Sequence, residues 1–261
     1  MRSIWSGAIS FGLVNIPIKL YSAVGENTIN FDMLRASDYS PIKYKRVAAA
    51  DEKEVPYNEI VKGYEYEKNE YVVLSDEDFE KASPEKTKAV DIIDFVNEDE
   101  IDSIYFDKPY FLQPGEGAGK SYKLLLEALK VSKKVGIAQY VLRNRERLGA
   151  VRAFKDLIIL EQLRFHQEIR DWKEIDLAKN VKIGEKEKEM AIQLIKQLTT
   201  HFKPEKYKDT YIDELMKIID AKVKGEEIEV KQPKKQATEV TDLMSVLKQS
   251  LKAVKGNKKA A

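Results

Sequence analysis

The chain has 261 residues, 43% hydrophobic and 34% charged, with 45 Lys+Arg against 44 Asp+Glu for a net charge of +1. That apolar share excludes a wholly disordered chain, and the length suits one or two domains. Zero cysteines exclude a disulfide scaffold, a thiolate zinc site and a cysteine nucleophile, and two histidines exclude a histidine-rich metal site. In chain order, the first question is whether the N-terminus is a leader. Ser3, Ser6, Ser10, Asn15, Pro17 and Lys19 interrupt the apolar run that a secretory signal needs. No stretch approaches the ~20 apolar residues of a membrane span, so no membrane partner is expected and a cytoplasmic setting is the default.

Residues 1–182 read mainly as strands. Ile16 to Tyr21 alternates with period two, and Pro17, lacking an amide donor, belongs at a strand start or edge. Ile42 to Val47 reads as a second strand that would put Lys43 and Lys45 on one face. Tyr64–Tyr66 and Tyr71–Leu74 form a predicted hairpin, and Ser75 with Asp78 resembles a capping box opening a short helix. Val90–Val96 and Tyr105–Leu112 are further strands. Tyr122, Leu125, Leu126 and Leu129 make one apolar helical stripe, with Lys123, Glu127, Lys130 and Lys134 on another face. A meander of 135–142, 148–154 and 156–163 follows. Many short strands, tight turns and few helices point to an antiparallel barrel or sandwich, mainly β with helices (α+β).

The pattern changes near Val181. Met190, Leu194 and Leu198 are helix-spaced, and Pro204 is placed to open a second helix carrying Tyr207, Tyr211, Leu215, Ile218 and Ile219, with Gly225 as its stop. Residues 225–238 read as a linker. A final amphipathic helix begins near Thr241, with Leu243, Leu247, Leu251 and Val254 on one side. The implied organisation is a core of 1–182, a helical arm of 183–225, and a tail of 226–261 comprising linker, helix and basic end.

No catalytic constellation stands out, and neither a metal nor a cofactor is expected. Pro114 to Ser121 nearly spells the phosphate-cradling G-x-x-x-x-G-K-[ST] loop, but proline holds the place of its first glycine and offers no amide. No G-x-S-x-G elbow occurs. The reading is therefore of a binding protein rather than an enzyme.

The near-zero net charge hides a segregation. Residues 51–112 hold 19 acids and 7 bases, a net of −12, whereas 113–152 hold 9 bases and 3 acids, a net of +6. Residues 248–261 hold 5 lysines and no acid. Blocks of this kind build a local basic surface suited to a polyanion. The densest group is Arg143, Arg145 and Arg147, spaced by two. Guanidiniums so close repel one another unless an anion sits among them, and their planar fork suits phosphate.

These residues sit within a chain of familiar motifs. The opening Met1-Arg2-Ser3-Ile4-Trp5-Ser6-Gly7-Ala8-Ile9-Ser10-Phe11-Gly12-Leu13-Val14-Asn15-Ile16-Pro17-Ile18-Lys19-Leu20-Tyr21 closely resembles that of bacterial Ku, the DNA-end-binding family of non-homologous end joining. The likeness continues through Tyr44–Val47, Glu54–Tyr57, Ile60–Tyr66, Tyr105–Tyr110, Lys134–Ala138, Leu243–Met244 and Leu247. It implies an antiparallel β-barrel core with an extended bridge and a helical C-terminal arm, two copies forming a homodimeric ring. Duplex DNA would thread that ring from its end, and the expected protein partner is the ATP-dependent ligase D of bacterial end joining. The chain departs from the family pattern at Ala48, where relatives often have cysteine, and in its short basic tail. The bases available for phosphate contact are Lys19, Lys43, Lys45, Arg46, Lys120, Lys123, Lys133, Lys134, Arg143, Arg145, Arg147 and Arg152. Leu243, Met244, Leu247 and Leu251 are the candidate ligase face. A nucleoid-associated protein of the bacterial cytoplasm is implied. An architectural protein that coats duplex without needing ends is the alternative.

Overall fold

The computed structural model describes residues 1–25, 28–82, 88–178, 181–226 and 246–250. Seven strands close a barrel in the order β1-β2-β6-β9-β8-β7-β5. They are β1 (Trp5–Phe11), β2 (Val14–Ser22), β5 (Ala89–Asn97), β6 (Phe106–Pro114), β7 (Lys134–Leu142), β8 (Arg145–Phe154) and β9 (Leu157–Leu163). Tight turns fix the register. Gly12, at φ +58, opens the two-residue turn that pairs Phe11 with Val14. Arg143 and Asn144, both at positive φ, form the turn that pairs Leu142 with Arg145.

The barrel corrects the all-antiparallel expectation in one place. Residues 8–10 of β1 pair parallel with residues 89–91 of β5, which closes the sheet. Parallel partners need a long crossover, and residues 23–88 supply it. That excursion carries β3 (Lys62–Glu67), β4 (Glu70–Leu74) and the short helix α1 (Asp76–Ala82). As expected, Ser75 and Asp78 cap α1 reciprocally. The strand expected over 42–47 does not form. An isolated bridge, Val47 to Glu54, touches its end, and another, Leu34 to Pro41, lies just before it. Its alternation has no neighbouring strand to pair with, so Lys43 and Lys45 share no sheet face.

Alternate residues of each strand fill the interior. Ile9, Ile16, Ile18, Leu20, Val90, Leu112, Val151, Ile158 and Leu160 are all buried. At ~1.5–3 kcal/mol per large aliphatic side chain, this layer is the main support of the fold. Helix α2 (Gly119–Ser132) covers one mouth, burying Tyr122, Leu125, Leu126 and Leu129 as the stripe predicts. The Tyr122 hydroxyl accepts from the Ile158 amide at 2.7 Å and donates to the Leu112 carbonyl at 2.5 Å, tying the helix to two strands. Lys133, at φ +54, ends α2, so Lys134 opens β7 and does not lie on the helix face expected for it. The glycine-rich loop before α2 is pinned differently from a phosphate cradle: the Gly115 amide donates to the Pro17 carbonyl at 2.8 Å.

The chain divides into two compact units at Trp172/Lys173. In the second, α3 (Glu185–Leu198) and α4 (Thr210–Lys224) have no buried residue. Pro204 opens only a short 3-10 turn, and α4 starts six residues later. The reason is Asp209, whose carboxylate accepts from the Tyr211 and Ile212 amides and caps the helix there. Tyr207 therefore lies outside α4 and stacks on Phe202, 5.7 Å between centroids. Gly225, at φ +74, ends α4 as expected. Residues 246–250 are helical; Leu243, Met244, Leu251, Val254 and the linker beyond Glu226 lie outside the described residues.

Candidate nucleic-acid interface

Strand direction decides where the bases fall. Because α2 leads straight into β7, the start of β7 lies at the helix-covered mouth and its end at the opposite mouth. The nine residues of β7 separate these ends by ~26 Å. The bases therefore form two groups and not one patch.

The first group surrounds the end of α2. Lys130, Lys133, Lys134 and Arg152 line one cavity of about 560 Å³ together with Glu98 and Asp99. Most of this charge is already matched. Arg152 pairs with Glu161 at 2.6 Å and Glu98 at 3.6 Å, and Lys130 pairs with Glu127 and Asp156 at 3.6 Å each. Lys134 donates to Asn97 at 2.7 Å. Lys133 is exposed, as are Lys120 and Lys123 earlier on the helix.

The second group is the β7–β8 tip. Arg143 occupies the turn, and Arg145 and Arg147 follow in β8. None of the three has an ion-pair partner among the described residues. Arg145 and Arg147, two apart on β8 and opposite the buried Leu142 and Tyr140, project to the same side, and the turn sets only Arg143 apart from them. Arg143 and Arg145 are exposed, while Arg147, opposite Tyr140, is half-buried on the inner face of the barrel.

The remaining candidates are spread out. Lys19 lies on the outward face of β2. Lys43, Lys45 and Arg46 lie in the excursion; Lys45 pairs with Glu54 at 2.6 Å, and the Arg46 guanidinium sits over the Tyr57 ring at 5.3 Å. Lys43 has no ion-pair partner among the described residues.

Lys133 and Arg143 sit at φ +54, in the left-handed region where glycine or asparagine is cheaper by ~1–2 kcal/mol; Tyr39, Glu52, Asn69, Asn144 and Lys155 share that conformation at other turns. The sequence reading missed Lys108, Tyr110, Tyr140 and Gln162, which gather around Arg147 at the open mouth or just beneath it. The alternation Ala138-Tyr140-Leu142 was the available sign that Tyr140 points inward.

A family profile described as the Ku70/Ku80 beta-barrel domain matches residues 10–190. Three curated relatives carry the name "Non-homologous end joining protein Ku". The protein from Opitutus terrae is 47% identical over 255 residues, covering 96% of this chain and 91% of the relative. That from Coxiella burnetii is 40% identical, covering 100% of this chain and 97% of the relative. That from Bacillus subtilis is 42% identical, covering 96% and 82%.

Proposed function

Because the chain belongs to the Ku family, we propose that it binds the ends of double-stranded DNA, without reading sequence, during non-homologous end joining. It acts as a homodimeric ring through which the duplex threads. It passes the held ends to a ligase D-type ATP-dependent ligase through the helix bearing Leu243, Met244, Leu247 and Leu251. It does so as a binding protein, in the nucleoid, with no reaction of its own.

One observation carries the reading: the family match spans the same barrel that holds Arg143, Arg145 and Arg147 without carboxylate partners among the described residues. Phosphate contacts from such side chains position a protein on duplex but carry no sequence information. A protein that bound only phosphates would spread along a chromosome. A closed ring changes the access rule, because it cannot enter continuous duplex from the side. Charge then supplies affinity and topology supplies the preference for ends. Two features support a second copy. The β3–β4 ribbon leaves Tyr64, Tyr66, Tyr71, Val72 and Val73 exposed, and an isolated two-stranded ribbon is marginal in water. Helices α3 and α4 likewise carry apolar stripes with nothing buried. Of the expected contacts, Lys19, Lys43, Lys120, Lys123, Lys133, Arg143 and Arg145 are the most available to phosphate. Lys45, Arg46, Lys134 and Arg152 must first give up a protein partner.

Competition for labelled linear duplex tests the reading. Unlabelled linear DNA should compete strongly and covalently closed circles of the same sequence poorly. Equal competition by mass would remove end threading and favour a coating protein.

A further inference from the structure

The barrel mouth opposite α2 holds a cavity of about 340 Å³. Its lining includes Lys108, Arg143 and Arg147 against a single carboxylate, Asp107. That carboxylate is already engaged: it accepts from Gln162 at 2.8 Å and pairs with Arg164 at 3.2 Å. Three bases against one acid leave the lining two positive charges in excess. Two buried donors are also unmatched, one on Arg147 in this lining and one on Tyr140 outside it. The Nε of Arg147 and the hydroxyl of Tyr140, a residue only 3% exposed, have no hydrogen-bond partner among the described residues. Tyr140 and Arg147 face each other across the β7–β8 pair, on the inner side of the sheet. Gly149 makes room for this arrangement, since a Cβ there would lie 3.0 Å from the Tyr140 ring and 2.6 Å from Leu160.

Leaving the buried Nε–H of Arg147 and the buried Tyr140 hydroxyl unmatched is costly, and a protein interior normally avoids it. We propose that this mouth is a binding site for one phosphate group, held by Arg147, Arg143 and Lys108. A phosphate monoester or inorganic phosphate dianion matches the two excess charges, and its several acceptor oxygens match a guanidinium fork plus single donors. Burial raises the pKa of Tyr140, which lies outside that lining, above the ordinary tyrosine range, so its hydroxyl stays protonated. Tyr110, Arg147 and Asp107, all in the cavity wall, are the groups it senses electrostatically. The cavity admits a phosphate but not a double helix. It is therefore distinct from contacts to a passing duplex, although Arg143 and Arg147 belong to both surfaces.

The test uses the full chain in phosphate-free buffer, titrated calorimetrically with inorganic phosphate. The expected result is one saturable site per chain, weakened about tenfold or more by Arg147→Gln and severalfold by Lys108→Gln. Arg143→Gln, on an exposed turn, serves if Arg147→Gln fails to fold. A parallel arm compares 5′-phosphorylated with 5′-hydroxyl duplex of one sequence. A preference for the phosphorylated end that Lys108→Gln abolishes makes the DNA terminus the source. Equal affinity for both duplexes, with inorganic phosphate still bound, makes free phosphate the source. Two results overturn the site: neither phosphate saturation nor an end-phosphate preference in the parent protein, or a response that the variants leave unchanged. Either would leave duplex binding itself untouched, so failure here is separable from failure of the end-binding reading.

Discussion

At the scale of single residues, the barrel sets stability against binding at identifiable places. Arg143 holds a left-handed turn position that glycine fills without strain. Arg143→Gly is expected to raise stability by up to about 1 kcal/mol in urea denaturation while weakening DNA binding and flattening its salt dependence. Removing all of Arg143, Arg145 and Arg147 should weaken binding further; a triple variant that binds normally would reduce the tip to a solvated hairpin. Tyr122 behaves oppositely. Tyr122→Phe strands the Ile158 amide and the Leu112 carbonyl, both in the core, and should destabilise by about 1–3 kcal/mol. Tyr140→Phe, by contrast, deletes a hydroxyl with no described protein partner and should be at least as stable as the parent in phosphate-free buffer. The tyrosines also set an alkaline limit. Burial, first among the causes, raises Tyr110, Tyr122 and Tyr140 above their ordinary value of 10.0. The folded state therefore keeps protons that the unfolded chain releases. That stability is complete below pH 10 and lost as pH rises through the folded values. Circular dichroism should show unfolding that begins above pH 10, moved to higher pH by Tyr140→Phe; a transition that Tyr140→Phe leaves in place would contradict this.

At the scale of elements, the two helices of the second unit carry the clearest unfulfilled demand. Ile192, Ile195, Leu198, Tyr211 and Met216 are exposed on helices that bury nothing. A chain stopped before Gly184 should sediment as a monomer, and a persistent dimer would refute their assignment to the partner. Deleting the helix around Leu247 should spare DNA binding but reduce ligase stimulation. Much of this level was legible in the sequence because it is written in local periods. The stripe of α2, the alternation in β2 and β7, and the capping box at Ser75 each state their element without help from elsewhere. Ile42 to Val47 shows the limit: it alternates like a strand but finds no partner, and strand formation is decided by the neighbour more than by the residue. The closing parallel pair of β1 and β5 joins residues about eighty positions apart, which no window of sequence contains. The arginine group was visible as charge. That Arg147 turns inward depends on a two-residue turn whose strained backbone charge spacing does not reveal.

At the scale of the whole molecule, the account rests on topology joined to charge. In the proposed reading, chain pairing encloses an opening, phosphate contacts inside it give sequence-independent affinity, and entry is confined to ends. The electrostatic part fades with salt: neutralising 6–10 phosphates loses about 10³–10⁵ in affinity between 50 and 200 mM. A topological link does not fade in that way, and this difference isolates the central claim. The decisive measurement is retention at high salt on linear duplex whose two ends are blocked by a bulky protein, added either before or after the Ku-family chain. The account predicts salt-resistant retention only when the ends are blocked after loading, and none when they are blocked first. Equal retention in both orders, or complete loss in both, would contradict it.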